Sequence, residues 1–161
     1  MASFHSTNIR FIELQEKHLN KFKKIHAACL PSAKYSEETY MQFLKGEVFR
    51  THVFVNAEEQ ILSFIVLMIG IDACEIISIG TIKQYRNQGF ASKMLNMCAE
   101  IYKPRDMFLE VETTNKIAIN FYTDYGFEII NMRKKSNWGE NSFLMKKSVE
   151  NTTSEKDHNI Q

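Results

Sequence analysis

The stretch Glu75–Tyr102, EIISIGTIKQYRNQGFASKMLNMCAEIY, constrains the fold of this chain more than any other part of it. It opens as an apolar, β-branched run and passes through a short polar, basic segment. It then continues with Ala91, Met94, Leu95, Cys98 and Tyr102 at helical spacing. The pattern predicts a buried strand, a loop and an amphipathic helix. With a further strand over Met107–Val111 it makes a β-α-β crossover, right-handed by default, whose ligand end is the carboxyl end of the first strand. The loop holds Arg86, Asn87, Gln88, Gly89, Phe90 and Ala91. A glycine at a strand-to-helix crossing lets backbone N–H groups approach an anion, and the helix N-terminus adds partial positive charge. With Lys83 and Arg86 close by, the loop reads as a cradle for the diphosphate of a nucleotide-bearing cofactor; the alternative is an ordinary basic connection. Neither GxxxxGK[ST] nor a full GxGxxG is present, which disfavours nucleoside triphosphates and dinucleotides.

The flanking segments complete an α/β pattern. Asn8–Leu14 alternates as a strand does. Lys17–Leu30 is helical, with Leu19, Phe22, His26 and Cys29 on one face. His18 reads as a surface histidine and His26 as a core one, because neither has a carboxylate or cysteine partner at metal-ligand spacing. Ser36 is the N-cap of a second helix that Gly46 ends. Thr51–Val55 and Ile61–Ile71 form a hairpin around Asn56-Ala57-Glu58-Glu59, and the central strand covers Cys74–Ile82. Asn115 caps a helix carrying Ala118, Phe121, Tyr122 and Tyr125, and Gly126 ends it. Phe127–Met132 and Ser142–Met145 close the domain as a strand pair. The expected architecture is a single α/β domain over residues 8–147, a mixed central sheet of about seven strands flanked by about four helices. A flexible N-terminus (1–7) and a polar, disordered tail (150–161) are expected outside it.

A chain of 161 residues supports one domain with a sizeable core. A net charge of +1 gives no global basic field for nucleic acid or an anionic membrane. Cys29, Cys74 and Cys98 are widely spaced and form no Cys-x-x-Cys pair, which fits free thiols in a reducing compartment and speaks against zinc. Met1–Arg10 lacks a secretory apolar segment, and the most apolar run, Ile61–Ile71, is about half the ~20 residues a spanning helix needs. The expectation is a soluble cytoplasmic protein without a metal.

Two acids stand out. By alternation Glu75, Ile77 and Ile79 share one face of the central strand, and Phe108, Glu110 and Glu112 share one face of the next. A glutamate between Leu109 and Val111 in an interior strand needs solvent, a partner or a cleft. Glu75 and Glu110 are therefore candidate general bases; the alternative is a solvated sheet face. Tyr122, beside Phe121, is either a core aromatic or a proton donor.

Together these residues resemble the GNAT superfamily of N-acetyltransferases. IISIGTIKQYRNQGFASKML matches its Arg/Gln-x-x-Gly-x-Gly/Ala signature, with Ala91 in the last small position. FLEVETTNKIAINFYTDYGFEII matches the second hallmark through Asn115, Ala118-Ile119, Phe121-Tyr122 and Gly126-Phe127. The resemblance covers roughly residues 8–147. Within the superfamily the chain is similar to protein Nα-acetyltransferase catalytic subunits of the NatE and NatF types and to RimI-type bacterial enzymes. The cues are Leu30-Pro31 followed by Tyr35, the LEV strand, and the TTN…AINFY helix.

The resemblance implies acetyl-CoA as co-substrate. Ile79, Gly80, Thr81 and Ile82 would bind its pantetheine arm like an added strand, and Arg86 to Ala91 would wrap its diphosphate. Asn115 would touch the cofactor, and Tyr122 would be the general acid at the thioester sulfur. Glu110 occupies the base position of RimI-like enzymes, and Glu75 falls where NatE-type enzymes have a tyrosine. Leu30, Pro31, Tyr35 and Ile77 would line the pocket for the acceptor. Two departures bear on that pocket. Leu30-Pro31 and Tyr35 are one residue further apart than usual. Ser136-Asn137-Trp138-Gly139 stands where two tyrosines usually clamp the peptide; either Trp138 replaces that clamp or the clamp is missing.

The implied reaction is direct transfer of acetyl to the α-amino group of protein or peptide N-termini. Nascent chains at the ribosome, reached through an auxiliary subunit, are the implied partners, with no direct nucleic-acid or membrane contact. At pH 7.4 roughly a quarter of α-amines are neutral against about a thousandth of lysines, a difference worth about 3.5 kcal/mol of deprotonation. This favours α-amines where a single carboxylate acts through water. The alternatives are a GNAT enzyme for lysine side chains or a small amine, and a non-catalytic acyl-CoA-binding subunit.

Overall fold

The computed structural model describes residues 8–103, 105–134 and 139–149. Strand β1 (Arg10–Glu13) leads through a 3-10 turn (Glu16–His18) into helices α1 (Leu19–Cys29) and α2 (Glu37–Lys45). Strands β2 (Phe49–Val55), β3 (Ile61–Ile69) and β4 (Ala73–Thr81) follow as an antiparallel meander. A second 3-10 turn (Lys83–Tyr85) precedes α3 (Phe90–Ile101), β5 (Asp106–Glu112), α4 (Lys116–Tyr125), β6 (Glu128–Arg133) and β7 (Ser142–Lys147). The seven strands make one sheet in the order β1-β2-β3-β4-β5-β7-β6, with β4 and β5 its parallel pair. This is the α/β architecture read from the sequence. The Trp138 expectation and those for residues 1–7 and 150–161 lie outside the described residues.

The helix ends follow local chemistry. The Ser36 Oγ accepts from the Thr39 N–H at 3.2 Å, and the Asn115 Oδ1 accepts from the Ala118 N–H at 3.2 Å, so both residues cap as expected. Gly126 closes α4 at φ +111°, a left-handed conformation that glycine enters without a Cβ penalty.

Each face of the sheet carries a core. Phe22, Tyr40, Phe43, Val53, Phe64 and Val66 pack on the α1–α2 side. Ile65, Leu67, Ile76, Met94, Leu95 and Leu109 are among those on the α3–α4 side. Burying a side chain such as Phe22 or Leu95 contributes about 1.5–3 kcal/mol each. His18, expected at the surface, is only 1% exposed. Its Nε2 lies 2.6 Å from the Glu59 carboxylate in the β2–β3 turn, a partner that local sequence spacing does not reveal. Among the described residues no helix is long and apolar enough to cross a membrane.

Two irregularities in β4 place the site. Opposite β3 the register steps from Val66↔Ser78 to Leu67↔Ile76, so Ile77 is an extra residue, a β-bulge. The bulge corrects the expected alternation. Glu75 and Ile77 lie on the α1–α2 face, but Ile79, opposite Ile65, joins the α3–α4 core. The second irregularity is a parting of strands. β4 pairs with β5 over Ala73–Ile76 against Asp106–Leu109, and the ladder then stops. Beyond that point β5 pairs with β7 on its other side, while the β5-facing edge of Ile77–Thr81 is left open.

Candidate active site

The parting of β4 and β5 opens a cleft of about 1540 Å³. The site begins with the open edge of β4. Ile79, Gly80 and Thr81 line the cleft there. Their backbone groups directed towards β5 are not used by a ladder, though the Thr81 carbonyl among them has a side-chain partner in Arg86, so the edge suits an extended polar chain that adds itself as a strand. Ile82 does not line the cleft; its N–H donates to the Leu62 carbonyl at 3.0 Å and its side chain packs on the α3–α4 core.

At the carboxyl end of β4 the chain enters the basic loop. Asn87 and Gly89 both take positive φ, +59° and +81°. Such a pair turns successive N–H groups towards one point, an anion-binding concavity. Gly89 is the N-cap of α3, where no side chain caps the helix and no acid occupies the first turn. The first intrahelical bond there runs from the Lys93 N–H to the Gly89 carbonyl at 3.0 Å, so the N–H groups of Ala91 and Ser92 lie ahead of the helix ladder, at the positive end of the helix dipole. A Cβ built on Gly89 meets nothing within 4 Å, so the loop surface is open. Arg86, Asn87, Gly89, Phe90 and Ala91 line the cleft; Gln88 does not, and its amide donates to the Gln84 carbonyl at 3.2 Å. The Arg86 Nε donates to the Thr81 carbonyl at 2.9 Å, which braces the loop against the strand. These donors fit a diphosphate.

The other end of the cleft holds the acids. Glu75 sits opposite Phe108, and Glu110 is the next residue on that face of β5, just past the last paired position. The two carboxylates therefore stand together where the strands separate, and both line the cleft. Burial pushes the Glu75 carboxyl up from its usual range; the Glu110 charge pushes it further, and Arg133 opposes both. Glu110 has its own partners. The Ser142 hydroxyl donates to its Oε1, and the Arg133 Nη1 lies 3.4 Å from its Oε2. Both come from strands that the sequence reading did not connect to the acids. Because β7 is inserted between β5 and β6, Glu112, Ser142 and Arg133 fall in one row across three strands.

Tyr122 reaches the cleft from α4 and is 7% exposed. Its ring packs on Phe121 and Phe127, at centroid distances of 5.2 and 5.6 Å, and burial raises its phenol well above the usual range. A phenol in that state is neutral and able to donate. Asn115 lines the cleft too, its side-chain oxygen engaged in the helix cap. Leu30, Pro31, Tyr35 and Ile77 also line the cleft. Behind them lies a buried polar chain that the sequence reading did not contain. The Tyr40 hydroxyl is 3.2 Å from His26 Nδ1, and His26 Nε2 is 3.1 Å from the Ser78 Oγ. Among the described residues no cluster of three or more potential metal ligands occurs.

Residues 19–127 match the family model for the acetyltransferase (GNAT) family. The chain belongs to that family. It is similar to N-alpha-acetyltransferase 50 of Danio rerio, 36% identical over 63 residues, 37% of this chain and 38% of the relative. It is also similar to an N-alpha-acetyltransferase of Sulfurisphaera tokodaii, 33% identical over 75 residues, 44% and 45% of the two chains. Each match thus spans less than half of the relative's length. The fold extends further: the structure of Arabidopsis thaliana NAA60 in complex with acetyl-CoA superimposes with a TM-score of 0.76 at 18% identity, covering 87% of this chain and 98% of that one.

Proposed function

We propose that this chain transfers the acetyl group of acetyl-CoA to the α-amino group of protein or peptide N-termini. The observation that carries the reading is the split sheet, with an open strand edge leading to the N-terminal end of helix α3 on one side and two carboxylates on the other. The names of the two sequence relatives support the α-amine as acceptor. In this reading the Ile79–Thr81 edge aligns the pantetheine arm, and the donors at Ala91 and Ser92, with the Asn87–Gly89 turn, hold the diphosphate. Acetyl-CoA supplies an activated thioester carbonyl.

The β4 backbone beside the bulge offers N–H groups to the oxyanion. A carboxylate, Glu75 or Glu110, takes a proton from the acceptor ammonium through solvent, which frees the nitrogen lone pair. Tyr122 gives its proton to the departing sulfur as the C–S bond breaks. The second nitrogen proton restores the phenol through solvent. Leu30, Pro31, Tyr35 and Ile77 face the first acceptor residue with apolar and aromatic surface, which suits an apolar side chain. The setting we propose is cytoplasmic, on N-termini of chains leaving the ribosome, with an auxiliary subunit as a docking aid.

The test is incubation of purified protein with acetyl-CoA and a panel of free-N-terminus peptides, N-terminally blocked peptides containing lysine, and small amines. Acetylation confined to the free-N-terminus peptides is expected. Acetylation of small amines or lysine alone would refute the α-amine reading and leave the general acyltransferase.

A further inference from the structure

The two carboxylates at the mouth of the split are not equivalent, and the difference comes from strands that sequence spacing does not join. Glu110 is engaged on both oxygens: the Ser142 hydroxyl donates to one, and the Arg133 guanidinium lies 3.4 Å from the other. Ser142 is 2% exposed, so the hydroxyl that fixes Glu110 is part of the packed sheet. Both oxygens are thus already engaged by fixed partners, which leaves Glu110 less free to turn towards an acceptor. Glu75 has no comparable partner among the described residues. It is half-buried on the adjacent strand, opposite Phe108 on β5 and Met68 on β3. The charged groups that reach it are Glu110 from β5 and Arg133 from β6. On the α1–α2 side the nearby titratable groups are Tyr35, on the cleft wall, and the buried His26, both uncharged at neutral pH.

We propose that Glu75 is the residue that takes the acceptor's proton, and that Arg133 and Ser142 commit Glu110 to a positioning role beside it. This rests on the acetyl-transfer reading for the identity of the acceptor. In the step, an N–H bond of the acceptor ammonium breaks and its proton passes through solvent to a Glu75 oxygen. The electron pair stays on nitrogen and forms the bond to the acetyl carbon. The resulting carboxylic acid returns the proton to solvent before the next turnover. Glu110 attracts the ammonium, and its charge beside Glu75 helps push the Glu75 carboxyl up, so that it accepts the proton more readily. Arg133 sets the strength of that effect.

The arrangement has a signature that a merely structural role lacks: removing the negative neighbour and removing the positive one displace the same titration in opposite directions. The experiment uses the full chain as wild type, Glu75→Gln, Glu110→Gln and Arg133→Met, each checked for a cooperative melt. Carboxyl carbons are followed by NMR across pH in the absence of acceptor, so this arm needs no turnover. The higher-titrating cleft carboxyl is expected to vanish in Glu75→Gln, move down in Glu110→Gln and move up in Arg133→Met. With a free-N-terminus peptide and saturating acetyl-CoA, the acid limb of kcat/KM should move in the same directions. Glu75→Gln should cost roughly 10²-fold or more, the range for loss of a general base, and Glu110→Gln about tenfold or less. A higher titration that belongs to Glu110, an Arg133→Met profile identical to wild type, or a larger loss in Glu110→Gln than in Glu75→Gln would overturn the assignment. If wild type acetylates lysine or small amines instead, the α-amine reading fails while the titration order still decides between the two glutamates.

Discussion

Replacing Gly80 by alanine tests how closely the cofactor-facing strand is fitted to the core behind it. A Cβ on Gly80 would lie 2.6 and 2.8 Å from Cζ and Cε1 of Phe64 and 3.0 Å from Cys29 Cβ. Carbon atoms rest at about 3.5–4.0 Å, so the ring must retreat by roughly 1 Å. It has nowhere to go: Phe64 is fully buried, with the Phe22 and His26 rings at centroid distances of 5.5 and 5.2 Å. Overpacking of this kind costs typically about 1–3 kcal/mol, and alanine recovers about 0.5–1 kcal/mol of backbone entropy. The expected net loss is about 1–2 kcal/mol, roughly 2–8 °C in Tm for a chain of this size. Urea and thermal melts of Gly80→Ala, Phe64→Leu and the double variant decide it. Leucine vacates the ring edge, so the double variant should be more stable than the summed single losses by about 1 kcal/mol. A Gly80→Ala protein as stable as wild type, or strict additivity, would refute the reasoning.

Three further outcomes follow from the geometry. Tyr122→Phe keeps the ring contacts with Phe121 and Phe127, so its melt and acetyl-CoA affinity by calorimetry should stay unchanged while kcat drops roughly 10²–10⁴-fold; near-normal turnover would remove Tyr122 as the acid. His26, lowered by burial to about 4, is neutral in the folded chain, whereas the unfolded chain protonates it below about 6.5. Its stabilising share is thus complete above pH 6.5 and is lost as pH falls towards 4, and a His26→Leu variant should show a shallower decline in urea stability over that window. Deleting Ile77 should give a chain that still melts cooperatively but loses roughly 10²-fold or more in turnover, the scale for a misplaced oxyanion donor; full activity would show that the bulge is dispensable.

The order of elements was readable because its signals are local. The Gly89 loop, the caps at Ser36 and Asn115 and the stop at Gly126 depend on residues within a turn of one another, and the structure places each where the sequence pointed. The cleft wall of Leu30, Pro31, Tyr35 and Ile77 was reached through family resemblance, not spacing. What stayed hidden is pairing across the sheet. Nothing in the run Glu75–Thr81 marks Ile77 as an extra residue, since the alternation it breaks is apolar on both faces. Nothing near Glu110 announces Arg133 or Ser142, because the insertion of β7 between β5 and β6 brings them there. His18 was misjudged for the same reason: its partner, Glu59, is 41 residues away.

The bulge and the strand split are coupled, and the registers show how. On the β3 side, Ser63–Val66 pair with Ser78–Thr81, and Leu67–Ile69 pair with Cys74–Ile76. Both blocks keep their partners whether or not Ile77 stands between them, and Cys74, Ile76 and Ile79 keep facing the α3–α4 core. On the β5 side, pairing ends at Ile76, the residue before the bulge. A bulge bends its strand and increases local twist. Here that bend falls where β4 leaves β5, and the edge released by it is the one that faces the cleft. Glu75 lies on the paired side of this point and Ile79–Thr81 on the open side. One extra residue therefore separates the part of the strand that holds an acid against a second acid from the part that turns its unladdered edge to a ligand. Deletion of Ile77 isolates this contribution because it removes the bend without exchanging the two faces of the sheet.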